Sequence, residues 1–147
     1  MDAPYTVTLH DDGAPEPAAS LVDSGIGRYN STHSSADQTR PLAAIAVSAD
    51  GTTLGGAIGR TWGACCELRL LWVDDEQRQR GVGRALMAAF EQRARERGCT
   101  LVYLDTFSFQ APAFYRALGY ACAHEISGYA PGVVKYTMTK TLDRTPA

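Results

Sequence analysis

Apolar and polar positions alternate from Tyr5 to Leu9, which predicts a first strand. His10 to Pro17 is rich in turn residues and reads as a link. Ala18 to Tyr29 carries a weak helical pattern broken by Gly25 and Gly27, and the Ser/Thr-rich run Asn30 to Arg40 predicts a mobile loop. Leu42 to Val47 and Thr53 to Arg60 read as strands, with Asp50-Gly51 between them as a hairpin signal. Cys66 to Val73 is the next strand, and its alternation puts Glu67, Arg69, Leu71 and Val73 on one face. Gly81 to Arg97 is the best helix: Val82, Leu86, Ala89 and Phe90 share a face, charges lie opposite, and Gly98 suits its end. Leu101 to Thr106 is a strand. Ala111 to Leu118 is a short helix, with Pro112 in its first turn and Gly119 to stop it. Tyr120 to Ile126 and Val133 to Leu142 close the pattern, parted by the turn Ser127 to Gly132.

This order predicts an α/β chain with a mixed sheet and helices on both faces. The unit Cys66 to Thr106 should be a right-handed parallel crossover. No repeat or linker interrupts it, so residues 1–147 are expected to form one domain, with a frayed tail from about residue 143.

A chain of 147 residues can bury a real core. Its net charge of −2 supplies no global basic field, which argues against nucleic-acid or membrane partners. The four cysteines, Cys65, Cys66, Cys99 and Cys122, show no CxxC or zinc-ligand spacing, so no metal is expected. The start MDAPYTVTLHDDG lacks the basic and apolar regions of a signal peptide, and no apolar run could span a bilayer. These features predict a soluble, reduced, cytoplasmic protein.

Positive charge is local. Six arginines lie between Arg78 and Arg97. Arg93, Arg95 and Arg97 read as a solvated helix face, whereas Arg78, Arg80 and Arg84 flank Gly81 and Gly83. A glycine loop opening a helix offers main-chain N–H groups and a favourable dipole to an anion, and to phosphate above all. A Rossmann fingerprint would need a third glycine where Leu86 stands, and its glycines would follow the strand directly; only Asp105, at a later strand end, favours it. A P-loop would need Gly-Lys-Ser/Thr, which is absent.

The spacing Val73-x-Asp75-x-x-Arg78-x-x-Gly81-x-Gly83 resembles the acyl-CoA-binding signature of the GNAT N-acetyltransferase superfamily. Phe114-Tyr115-Arg116-Ala117-Leu118-Gly119-Tyr120 resembles that family's Phe-Tyr-x-x-x-Gly-Phe/Tyr element. The resemblance is strong from Glu67 to Tyr120 and weak before Leu42. Asp75 departs from the proline common at its position. The implied fold is α/β, a single-domain, mixed and mostly antiparallel sheet with central splayed parallel strands and helices on both faces.

The resemblance further implies that pantetheine lies between the splayed strands, bonded to main-chain groups of Leu71, Trp72 and Val73. Pyrophosphate would sit on the amides from Gln79 through Arg80, Gly81, Val82 and Gly83 to Arg84, with Arg78 beside them. An amide at the splay could hold the tetrahedral oxyanion. Tyr115 matches the family tyrosine that protonates the departing sulfur; on residue type alone it is equally a packed aromatic. Glu67 matches a base of several protein-acetylating relatives, Asp105 a rival acid, and ordered water serves in others. Gln110 matches a cofactor-contacting amide, with Ser108 competing for that role. By analogy Tyr29, Asn30, His33, Trp62 and Tyr129 rim the acceptor cleft.

The expected function is therefore transfer of an acetyl group from acetyl-CoA to a primary amine, taken as that of a small molecule, by direct attack in a ternary complex. No appended docking tract argues for a protein acceptor. A lysine or peptide N-terminus, a catalytically silent acyl-CoA-binding regulatory module and a dinucleotide-binding protein are the competing readings. Homodimers are common among such relatives.

Overall fold

The computed structural model describes residues 4–35 and 38–143. The frayed tail expected from about residue 143 lies, for residues 144–147, outside them. The chain divides into two compact units, Met1–Asp37 and Gln38–Ala147.

In the first unit, the strand expected at Tyr5 to Leu9 does not form. Tyr5, Val7 and Leu9 are all exposed. Alternation supplies a candidate face, but a strand needs a partner to complete its hydrogen bonds. Helix α1 (Ala18–His33) runs through Gly25 and Gly27 and through Asn30 to His33, where a loop was expected. Hydroxyls keep that last turn helical by bonding back along it: Ser31 Oγ donates to Arg28 O at 3.1 Å and Thr32 Oγ1 to Tyr29 O at 3.0 Å. None of its residues is buried.

The second unit carries the sheet. In chain order come β1 (Arg40–Val47), β2 (Thr53–Trp62), β3 (Cys65–Val73), a short 3₁₀ turn (Asp75–Gln77), α2 (Val82–Glu96), β4 (Leu101–Phe107), α3 (Pro112–Ala117), β5 (Ala121–Ser127) and β6 (Val134–Thr141). Among the described residues the six strands lie in the order β1-β2-β3-β4-β6-β5, and every pairing is antiparallel except β3 with β4. The parallel pair is joined through α2, as a crossover connection requires. Asp50-Gly51 makes the β1–β2 turn, with Gly51 at φ 89.

Helix α2 packs Leu86, Met87, Phe90 and Ala94 against Ala57, Cys66, Leu68, Val102, Leu104 and Met138. Burying a side chain the size of Phe90 or Met87 contributes about 2–3 kcal/mol. Ala89, expected on that face, is exposed, and Glu91 is buried instead. The stripe runs one position later than the apolar residues alone suggest, because Glu91 is neutralised by Lys140 at 2.5 Å. Gly98 and Gly119 both end helices in the same way. The Cys99 and Tyr120 amides reach back to Ala94 O and Tyr115 O, and the glycine amides to Arg95 O and Arg116 O. Arg97 is no solvated-face residue: it reaches Pro41 O and Thr61 Oγ1 at 3.0 and 3.1 Å.

The pairing of β2 with β3 slips by one residue. Ile58 faces Leu70 while Gly59 faces Leu68, so Arg69 bulges out. The bulge reverses the facing of everything after it. Leu71 and Val73 pack with Cys66 and Leu68 toward the core, and Glu67 lies on the opposite face. The single alternating face expected for Glu67, Arg69, Leu71 and Val73 is thus broken. Gly59 makes the bulge sterically feasible: a Cβ there would overlap the carbonyl oxygen of Glu67 and lie 3.0 Å from the Phe90 ring.

Candidate active site

Strand β3 ends at Val73 and the chain turns at once. Asp74 Oδ1 accepts from the Glu76 amide at 3.0 Å, which starts the 3₁₀ turn. Arg78 pairs with Asp75 at 2.9 Å and points Nε at Val73 O, 3.4 Å away, so this arginine braces the loop. Gln79 has φ 63 and Gly81 φ 82. A non-glycine residue in that region costs about 1–3 kcal/mol, a local strain the sequence does not announce. The first intrahelical bond of α2 runs from Ala85 N to Gly81 O. The amides of Val82, Gly83 and Arg84 therefore have no intrahelical acceptor, and they stand at the positive end of the helix. Arg80 and Arg84 are exposed beside them and make no ion pair among the described residues.

The two glycines serve different ends. A Cβ on Gly81 would meet open space, so its left-handed φ is what demands glycine. A Cβ on Gly83 would lie 3.3 Å from Phe114 and 3.6 Å from Val73. Gly83 lets α2 approach α3.

Strands β3 and β4 pair over only four positions, Cys65↔Leu101 to Leu68↔Leu104. Both then continue apart. Leu71, Trp72 and Val73 keep β2 partners, and Asp105 to Phe107 keep β6 partners. Their facing edges carry main-chain groups with no strand between them. A small recess marks the parting, lined by Glu67, Leu68, Arg69, Tyr103, Leu104 and Asp105.

Two acids and a phenol meet at this recess. Glu67 Oε2 accepts from Arg60 Nε at 2.9 Å and from Tyr103 Oη at 3.2 Å. Its other oxygen has no such bond among the described residues. Asp105 has both oxygens engaged: Thr137 Oγ1 donates to Oδ1 at 2.6 Å, and Lys135 Nζ lies 3.6 Å from Oδ2. Tyr103 was not singled out from the sequence. Its signal was positional, since parallel pairing sets it directly opposite Glu67.

Tyr115 approaches from the core side. Its ring packs edge-on against Phe114 and Tyr120. The Ala111 amide, at the head of α3, reaches Thr106 Oγ1 on β4 at 3.4 Å. Burial pushes the phenol up to about 12. The hydroxyl has no hydrogen-bond partner among the described residues and is not sealed from solvent.

The remaining candidates lie on other elements. Gln110 Oε1 accepts from the Phe107 amide at 2.8 Å, closing its own loop. Ser108 Oγ accepts from the Val134 amide at 3.0 Å and donates to Gly132 O at 3.3 Å, tying the β5–β6 turn to the end of β4. Tyr129, on that turn, stands edge-on to Phe107. Trp62 ends β2, two residues beyond Arg60 on the Glu67 face. Tyr29, Asn30 and His33 belong to α1 in the first unit, where the Tyr29 and His33 rings stack at 4.1 Å. Burial raises the Cys66 thiol to about 12 and also raises Cys99. Among the described residues, no three His, Cys, Asp or Glu side chains cluster as metal ligands would.

Residues 12–120 match the acetyltransferase (GNAT) family. The blasticidin-S acetyltransferase of Streptomyces morookaense is 38% identical over 109 residues, 71% of this chain and 80% of that protein. The crystal structure of an acetyltransferase from Bacillus cereus is 26% identical, with a TM-score of 0.78 over 91% of this chain and 98% of its own. A protein described as a streptothricin acetyltransferase from Bacillus anthracis was solved with acetyl coenzyme A. It is 20% identical, with a TM-score of 0.62 over 70% of this chain and 63% of its own, a likeness of fold.

Proposed function

The chain belongs to the GNAT acetyltransferase family and is an acyl-CoA-dependent N-acetyltransferase; from that premise we propose that it moves the acetyl group of acetyl-CoA to a primary amine of a small molecule. The amine attacks directly, within a ternary complex. The observation that carries this reading is the parting of β3 and β4 between a helix-start amide cradle and a recess holding Glu67.

The cradle holds the diphosphate through the amides of Val82, Gly83 and Arg84, aided by the charges of Arg80 and Arg84. The unpaired edge of Leu71 to Val73 receives the pantetheine amides, and the thioester carbon then lies at the head of the gap. An amide on that edge stabilises the oxyanion as the C–N bond forms. Glu67, through its uncommitted oxygen and directly or through one water, takes the proton the amine must lose. Asp105, with both oxygens engaged, orients the acceptor.

The C–S bond then breaks. Tyr115 holds its proton more tightly than a free thiol does, whose ordinary value is near 8.5. Its part is a hydrogen bond to the sulfur as negative charge develops there. The raised Cys66 and Cys99 thiols stay protonated, which disfavours an acyl-cysteine route. The small-molecule acceptor is proposed by analogy with the Streptomyces relative, a blasticidin-S acetyltransferase.

The test pairs calorimetry with thiol release. Coenzyme A should bind with measurable heat, and acetyl-CoA should be consumed with at least one small primary amine. Glu67→Gln should cut kcat/KM at least tenfold and change the pH–rate profile, with coenzyme A affinity unchanged. Binding without turnover on any amine would leave a regulatory module instead.

A further inference from the structure

Three aromatic rings stand beyond the recess at the end of β4. Phe107 and Phe109 stack with centroids 5.4 Å apart and planes 11° from parallel. Tyr129 meets Phe107 edge-on at 5.2 Å and 86°. Phe109 is 70% exposed and Tyr129 52%. Large exposed aromatics that neither fill the core nor scatter singly call for an occupant.

The cluster is held in place. The turn bearing Tyr129 carries positive φ at Gly128 and Gly132. Ser108, between the two phenylalanines, clamps that turn through Gly132 and both main-chain groups of Val134. Rings fixed before binding lose little freedom on contact. The cluster is also continuous with the recess. Val102, Leu104 and Thr106 are buried on the core face of β4, so Tyr103, Asp105 and Phe107 form the opposite row with Glu67. Two residues along a strand span about 7 Å.

We propose that Phe107, Phe109 and Tyr129 select the acceptor, which is a primary amine carrying a flat, delocalised group roughly 7 to 13 Å from its nitrogen, the span to Phe107 from Asp105 and from the Glu67 level. The carboxylates of Glu67 and Asp105 draw the amine end. The rings stack the flat end, a heteroaromatic ring or a guanidinium, through dispersion and the ring quadrupole. This rests on the acetyl-transfer reading and names its acceptor class.

Acetyl transfer is measured with three primary amines of equal chain length, ending in a pyrimidine, a guanidinium or a cyclohexyl ring. At least one flat amine should exceed the cyclohexyl amine about tenfold in kcat/KM, chiefly through KM. Whichever flat amine gains more identifies the group. Phe109→Ala and Tyr129→Ala, at exposed positions that leave the core intact, should each shrink that preference at least threefold. Tyr129→Phe should keep it. Equal use of all three amines, or a preference that survives both alanine changes, overturns the proposal while leaving acetyl transfer standing. Failure to acetylate any amine overturns both.

Discussion

Tyr115 combines an open hydroxyl with a buried ring, and burial pushes its ionisation up to about 12. Tyr115→Phe should lower kcat by about 10- to 100-fold, the effect of losing one hydrogen bond to a charged atom, with coenzyme A affinity held within twofold by calorimetry. Because the phenol stays protonated to high pH, any alkaline fall in kcat below about pH 10 must belong to another group and should persist in the phenylalanine variant. Unaltered kcat would remove Tyr115 from the chemistry. Tyr115 and Glu67 could be proposed from the sequence because their spacing to the glycine loop resembles a known pattern. Tyr103 and Phe109 could not. A tyrosine in a strand and a phenylalanine after one look like core, and only the register and their exposure separate them from it.

The β2–β3 bulge is the element on which the site's facing depends, and Gly59 is its weak point. Gly59→Ala forces Cβ into the Glu67 main chain, so the bulge must shift. Such overpacking costs about 1–3 kcal/mol, and Glu67 would be displaced with it. The variant should lose both thermal stability and turnover. Gly25 and Gly27 predict the opposite. Both lie inside α1 with nothing within 4 Å of a Cβ, so alanine at either should gain up to about 1 kcal/mol of helix stability. Circular dichroism with thermal melts would check both signs. Element types from Leu42 onward were readable to within two residues, because apolar period and turn glycines agreed there. Tyr5 to Leu9 and the end of α1 misled for one reason. A local pattern does not reveal whether a strand has a partner, or whether serine and threonine hydroxyls bond back along a helix. The bulge was unreadable because a one-residue slip leaves no mark in composition.

Across the whole molecule, Tyr115 and Tyr120 are raised by burial, and so is Cys66. Near neutral pH these groups are protonated in folded and unfolded chains alike. Above about pH 10 the unfolded phenols ionise while the buried ones do not, so stability falls as pH rises. Each such phenol contributes a slope of about 1.4 kcal/mol per pH unit until its folded value is passed, about 12 for Tyr115. Urea midpoints should therefore drop clearly between about pH 8 and pH 11; a flat profile would contradict the burial of these rings. The short β3–β4 ladder carries a different consequence. On the proposed reading, the donor is gripped by peptide groups, which every sequence possesses, and the acceptor by side chains on the reverse of the sheet. Inheritance can then rewrite what is acylated, one ring or carboxylate at a time, without touching the grip on the acyl carrier. A lineage built this way diversifies its clients while keeping its currency.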